Sequence, residues 1–252
     1  MTDPFVALEG ASNFRDAGGL PTVDGSRIRR GLLYRSNRLS RLTDADRALL
    51  GTLGIRHIYD LREAGERARS PTHWPGPNIR IWDDRDHIAP WSDTIMDYPQ
   101  NAAGMRRFLT DLYAELPHVF GRRIADIVRD IAAGDGPCVV HCSAGKDRTG
   151  VVVGVLLALA GVPRAAVLDE YLLTHGRLGV AVDQHRAFGD RAGPALRPLE
   201  AQHALWAADT AYLETAFTSI ESRYDTLGAY AERALGLHAE TIDAFRVAAT
   251  EP

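Results

Sequence analysis

A short buried strand running straight into an apolar helix is the feature that most restricts how this chain can fold. Pro137-Cys138-Val139-Val140-His141 is of strand length and almost wholly apolar, and residues 151–162 are 12 consecutive apolar or glycine positions. A helix apolar on every side belongs in a core or in a membrane. A membrane span needs about 20 such residues, so the run is read as a central helix, from about 148 to 160. A fully apolar strand feeding a buried helix is the unit of a mostly parallel sheet covered on both faces.

The flanking sequence repeats that alternation. Residues 32–34, 55–61 and 79–82 read as strands, and Thr43 can cap a helix to about residue 53, with Asp44 and Asp46 near its positive end. Two helices follow, 103–116 and 118–133, broken by Pro117 and stopped by Gly134. Ile124, Ile127, Val128 and Ile131 make one apolar face of the second. From 163 onward the pattern is helical, including 202–224, while 176–198 is rich in Gly, Arg and Pro and reads as a surface excursion or lid. Within 252 residues no linker or repeat divides the chain, so one domain over 1–252 is expected. No signal peptide is visible in residues 1–10, and no transmembrane segment is expected. The expected location is cytoplasmic, with export lacking a cleavable signal as the alternative. A net charge of −4 argues against a nucleic-acid partner, and two cysteines exclude a disulfide framework.

The chemistry concentrates in His141-Cys142-Ser143-Ala144-Gly145-Lys146-Asp147-Arg148-Thr149-Gly150. Ligands of open α/β sheets bind where strands end, and a helix start adds unpaired N–H groups and partial positive charge, which together form an anion site. A cysteine placed there is favoured as the thiolate, a strong nucleophile. Five residues separate it from Arg148, enough to wrap a tetrahedral dianion, with loop amides on the equatorial oxygens and a two-pronged Arg148 contact that Lys could not reproduce. Thr149 can donate its hydroxyl to sulfur. His141 is expected to orient the loop by hydrogen bonds. A nucleotide-binding P-loop would need Gly at Val140 and Ser or Thr at Asp147, so it fails. Cys138 lacks a second cysteine pair to complete a zinc site and is expected in the core; no metal and no cofactor are expected. Trp82-Asp83-Asp84, with Asp86 close behind, follows a strand end and offers Asp84 or Asp86 as a mobile proton donor.

This loop resembles the Cys-x5-Arg signature of protein-tyrosine and dual-specificity phosphatases, and its Gly-Lys-Asp-Arg-Thr-Gly interior is similar to the bacterial branch with mycobacterial and lipid-active members. Asn13-Phe14-Arg15-Asp16-Ala17-Gly18-Gly19, Tyr34-Arg35-Ser36 with Leu39, and Asp60-Leu61-Arg62 carry the resemblance toward the N-terminus. Glu170-Tyr171-Leu172 and Thr226-Leu227-Gly228-Ala229-Tyr230 are weaker echoes. The resemblance implies a phosphatase α/β fold, a phosphocysteine on Cys142, no metal, and a helical lid over the site within about 164–235. It implies phosphotyrosine proteins or phosphoinositides as substrates. Ser143, Ala144, Gly145 and Lys146 would bind the phosphoryl group, Arg15 and Arg35 would lie near the loop, and Asp16 would hold one of them. Relatives use the residue at Asp147 as general acid. The alternative on the same fold is an inactive phospho-ligand-binding module; such proteins usually lack the Cys or the Arg, and both are here.

One count stands out. Lys146 is the single Lys among 29 basic residues. It sits where an ammonium could reach a second phosphate, and in relatives a Lys here accompanies phosphoinositide activity.

Overall fold

The computed structural model describes residues 3–82, 94–177 and 197–252. Its central sheet contains β1 (Arg15–Asp16), β3 (Leu33–Ser36), β4 (His57–Asp60), β5 (Asn78–Arg80) and β6 (Cys138–His141), in the order β1-β3-β6-β4-β5. Only β1 runs antiparallel. The three inner strands are buried along their whole length, which is why they read as continuous rather than alternating runs. Ser36, His141 and Asp60 stand in register across β3, β6 and β4. All three strands therefore end at one level, and the loop after β6 rises from the middle of that edge.

Several helices begin where a side chain satisfies one of their first amides. Thr43 caps α1 (Asp44–Gly51) in a reciprocal box with Asp46, and Glu63 and Glu66 form the same box at α2 (Ala64–Arg69). Asn101 caps α3 (Ala102–Val119), which continues through Pro117 and gives way to α4 (Gly121–Ala132) at Phe120. The expected break at Pro117 is thus shifted: a proline in the last turn removes only one N–H, and its carbonyl accepts the Tyr230 hydroxyl at 2.6 Å.

The central helix α5 (Asp147–Leu159) follows the loop and is buried almost throughout, between the sheet and its neighbours α3, α4 and α6 (Arg164–Leu172). The expected helix over 202–224 is divided in two. Here α7 (Leu199–Trp206) ends before Asp209 caps α8 (Thr210–Tyr224). Then α9 (Leu227–Arg233) and α10 (Ala239–Ala249) complete the helical layer. A second ribbon pairs β2 (Arg27–Ile28) with β7 (Thr250–Glu251).

Val167, Tyr171, Leu213 and Phe217 belong to the same core as α5 and are essentially unexposed. Within the span anticipated as a lid, α6 and α8 therefore act as core walls. Most of the excursion expected over 176–198, and the turn bearing Asp84 and Asp86, lie outside the described residues. Among the described residues no helix is long and apolar enough to cross a membrane.

Candidate active site

Cys142 leaves the end of β6 and is buried, with its Sγ accepting the Gly145 N–H at 3.3 Å. Gly145 makes this turn possible in two ways. Its φ is +70°, and a Cβ there would lie 2.5 Å from the Ser36 carbonyl oxygen. The Arg38 N–H donates to the Ser143 carbonyl at 3.1 Å, so the segment after β3 braces the far side of the loop.

Arg148, in the first turn of α5, is held by a residue that the sequence did not flag. Its Nη1 and Nη2 donate to the two oxygens of Glu66 at 2.5 and 2.9 Å, and the Ser143 hydroxyl donates to the same carboxylate. The carboxyl of Glu66 is pushed upward by burial, but the Arg148 charge and hydrogen bonds outweigh this and hold it far below the usual carboxylate range. Upstream, Asp60 accepts Arg62 Nε at 2.9 Å and Nη2 at 2.7 Å, while Arg62 Nη1 donates to the Ser70 carbonyl. The Asp60-Leu61-Arg62 motif therefore shapes the turn that presents Glu66. The signal for Glu66 was Glu63-x-x-Glu66, a capping box too short to read as a helix.

Arg15 and Arg35 do lie at the loop, but beneath it and fully buried rather than at its mouth. Glu170 accepts Arg15 Nε at 2.7 Å and Arg35 Nη1 at 2.6 Å. Burial pushes its carboxyl up, and the two guanidinium groups more than reverse this to hold it low. Both guanidinium groups are thus tied to Glu170 in the buried interior. Asp16 holds neither; it accepts the N–H groups of Gly18 and Gly31 at 2.8 and 2.9 Å.

The Asp147 carboxylate accepts the Tyr113 hydroxyl at its Oδ1, at 2.8 Å. Tyr113 and Tyr171 are 2.7 Å apart. Burial raises the pKa of both phenols. Tyr113 gives its one proton to Asp147, so Tyr171 donates to Tyr113. Lys146 is almost unexposed, and its Nζ lies 3.1 Å from Asp147 Oδ1, 2.7 Å from the Leu205 carbonyl and 3.0 Å from the Ala207 carbonyl. An ammonium has three donors, and all three are engaged. Lys146 ties the C-terminal end of α7 to the loop, where a cation also complements the helix dipole.

His141 is buried, and burial lowers its pKa, leaving it neutral. Its Nδ1 donates to the Cys142 carbonyl at 3.2 Å, in keeping with an orienting role. The Thr149 hydroxyl is buried with no hydrogen-bond partner, which in a native structure calls for an explanation. Cys138 is wholly buried, and its thiol is pushed up to about 12 by burial, then by Asp130; it is inert core.

A cysteine at the floor of an amide-lined turn, an arginine six positions on with its outer edge fixed by a carboxylate, and a parallel sheet ending beneath them define a cysteine-dependent hydrolase of phosphoric monoesters. The model of the tyrosine phosphatase family matches residues 6–251, and the chain belongs to that family. It is 30% identical over 280 residues to the triple specificity protein phosphatase PtpB of Mycobacterium tuberculosis, covering 95% of this chain and 96% of that one. A putative tyrosine-protein phosphatase of Cupriavidus necator is 30% identical, over 91% of this chain and 84% of its own length. A tyrosine-protein phosphatase of Nostoc commune is 33% identical, over 75% and 65% respectively.

Proposed function

We propose that the protein hydrolyses phosphotyrosine and related phosphomonoesters through a phosphocysteine on Cys142. The observation that carries this is the Glu66–Arg148 pair. Glu66 takes the Nη1–Nη2 edge of the guanidinium, which supports a reading in which the phosphoryl oxygens meet its Nε–Nη2 side. In the first step the Cys142 thiolate attacks phosphorus, the P–O bond to the leaving oxygen breaks, and Asp147 transfers its proton to that oxygen. In the second, water attacks phosphorus, the S–P bond breaks, and Asp147 takes the water's proton. Oδ1 of Asp147 already faces two donors, so Oδ2 carries the moving proton. The unpartnered Thr149 hydroxyl supports its reading as a donor to the departing sulfur. Rapid-quench mass spectrometry during turnover of p-nitrophenyl phosphate, without added metal, tests this; failure to find phosphate on Cys142 while product forms would sink it.

Asp147→Asn should lower kcat by about 10²-fold. Retention of the wild-type rate would transfer the role elsewhere, with Asp84 and Asp86 next in line.

The resemblance to a branch with lipid-active members also supports a reading that includes activity on phosphoinositides. With the Lys146 ammonium engaged by Asp147 and α7, such activity is read as a property of the whole loop. Lys146→Ala is then expected to slow phosphotyrosine and phosphoinositide hydrolysis by similar factors. The same change orphans two carbonyls and should lower the Tm by roughly 5 °C. A loss confined to phosphoinositides would restore the direct second-phosphate contact.

A further inference from the structure

Asn13, Arg15, Arg35 and Glu170 form a buried polar cluster under the loop that the steps above do not use. Two of them converge on one atom. The Gly145 carbonyl oxygen accepts Arg35 Nη2 at 2.8 Å and Asn13 Nδ2 at 3.2 Å, filling both lone pairs. The cluster also fixes which end of Asn13 faces Gly145. Arg15 Nη1 donates to Asn13 Oδ1, and arginine has no acceptor, so Nδ2 must point the other way.

A trans peptide is planar, with its C=O and N–H antiparallel. Drawing the Gly145 carbonyl down into the protein therefore turns the N–H of Lys146, its partner in the same peptide, toward the opposite side. That N–H stands at the start of α5, before any intrahelical bond can use it. The neighbouring Gly145 N–H already faces Cys142 Sγ. Glycine at φ +70° permits this turn but leaves the peptide free to rotate, and the two donors from below remove that freedom. We propose that Asn13 and Arg35, with Glu170 holding the guanidinium of Arg35, are positioning residues that aim the Lys146 N–H at a phosphoryl oxygen. This rests on reading the loop as a phosphoryl cradle.

The test follows the loop amides by NMR during titration with inorganic phosphate, beside vanadate inhibition of p-nitrophenyl phosphate turnover. In the wild-type protein the Lys146 amide should move downfield together with those of Ser143 and Ala144. The near-isosteric Asn13→Asp, which sets a carboxylate oxygen against the Gly145 carbonyl, should cut the Lys146 shift by more than half. It should raise the vanadate inhibition constant about tenfold or more and lower kcat more than it changes KM. Phosphate moving the other loop amides but leaving Lys146 still in the wild type would overturn the proposal, even if the variant failed to fold. A folded Asn13→Asp with wild-type shifts and vanadate affinity would overturn it equally. No response from any loop amide, with no turnover, would instead refute the cradle itself.

Discussion

Cys142→Ser is expected to reduce turnover of p-nitrophenyl phosphate by about 10⁴-fold or more while leaving the fold intact. The serine hydroxyl has nearly the shape of the thiol and can accept the Gly145 N–H that now reaches Sγ at 3.3 Å. What it loses is nucleophilicity: a hydroxyl oxygen is a far weaker nucleophile than a cysteine sulfur. In the proposed mechanism the anion is held by the loop amides and Arg148 and not by sulfur. Vanadate will lose its covalent attachment, whereas inorganic phosphate should still bind. The variant should therefore retain phosphotyrosine peptides without releasing phosphate, and calorimetry with such a peptide separates binding from chemistry. Substantial residual turnover in protein free of wild-type contamination would remove Cys142 from the mechanism.

Arg148→Lys is the second large effect, a fall of about 10³-fold in kcat/KM. A lysine keeps the charge but offers no second edge, so it can satisfy Glu66 or the phosphoryl oxygens and not both. The same substitution makes a prediction about acid stability. Glu66 is held far below its ordinary value by Arg148. Its contribution is fully present above the unfolded value of about 4.3 and is lost as pH falls toward the folded value. In the variant the folded value of Glu66 moves back up and the available contribution shrinks. Thermal melts between about pH 2 and 5 should show a shallower acid decline for the variant than for the wild type. Identical slopes would mean that the Glu66–Arg148 pair does not set the acid limb.

Contiguity decides what could be read in advance. The loop from His141 to Gly150, the strand before it and the helix after it are local, and their periodicity and spacing survive in the sequence. Glu66 and Glu170 arrive from 82 and 155 positions away along the chain, and nothing near them announces a partner. Arg15 and Arg35 were placeable near the loop by motif, but motifs do not say which side of a loop a side chain occupies; here both lie below it. Lys146 stood out by being unique, yet the direction of its ammonium depends on α7, whose end at Trp206 was hidden inside a longer helical pattern. Edge pieces such as β1 and the β2–β7 ribbon are two residues long, too short for any alternation to show.

The carboxylate of Glu170 has a consequence for how the molecule is made. During synthesis the chain emerges with Arg15 and Arg35 first, then the whole loop, and only afterwards Glu170. Until that residue is available, the floor of the loop would bury two like charges with nothing to neutralise them, an arrangement costing several kcal/mol. A ribosome-bound chain ending at α5 would thus carry the nucleophile, the loop and the arginine fork yet have no stable seat for them. Catalytic competence should switch on late in elongation rather than grow with length. Fragments that end before α6 should stay silent unless the missing half is supplied in trans.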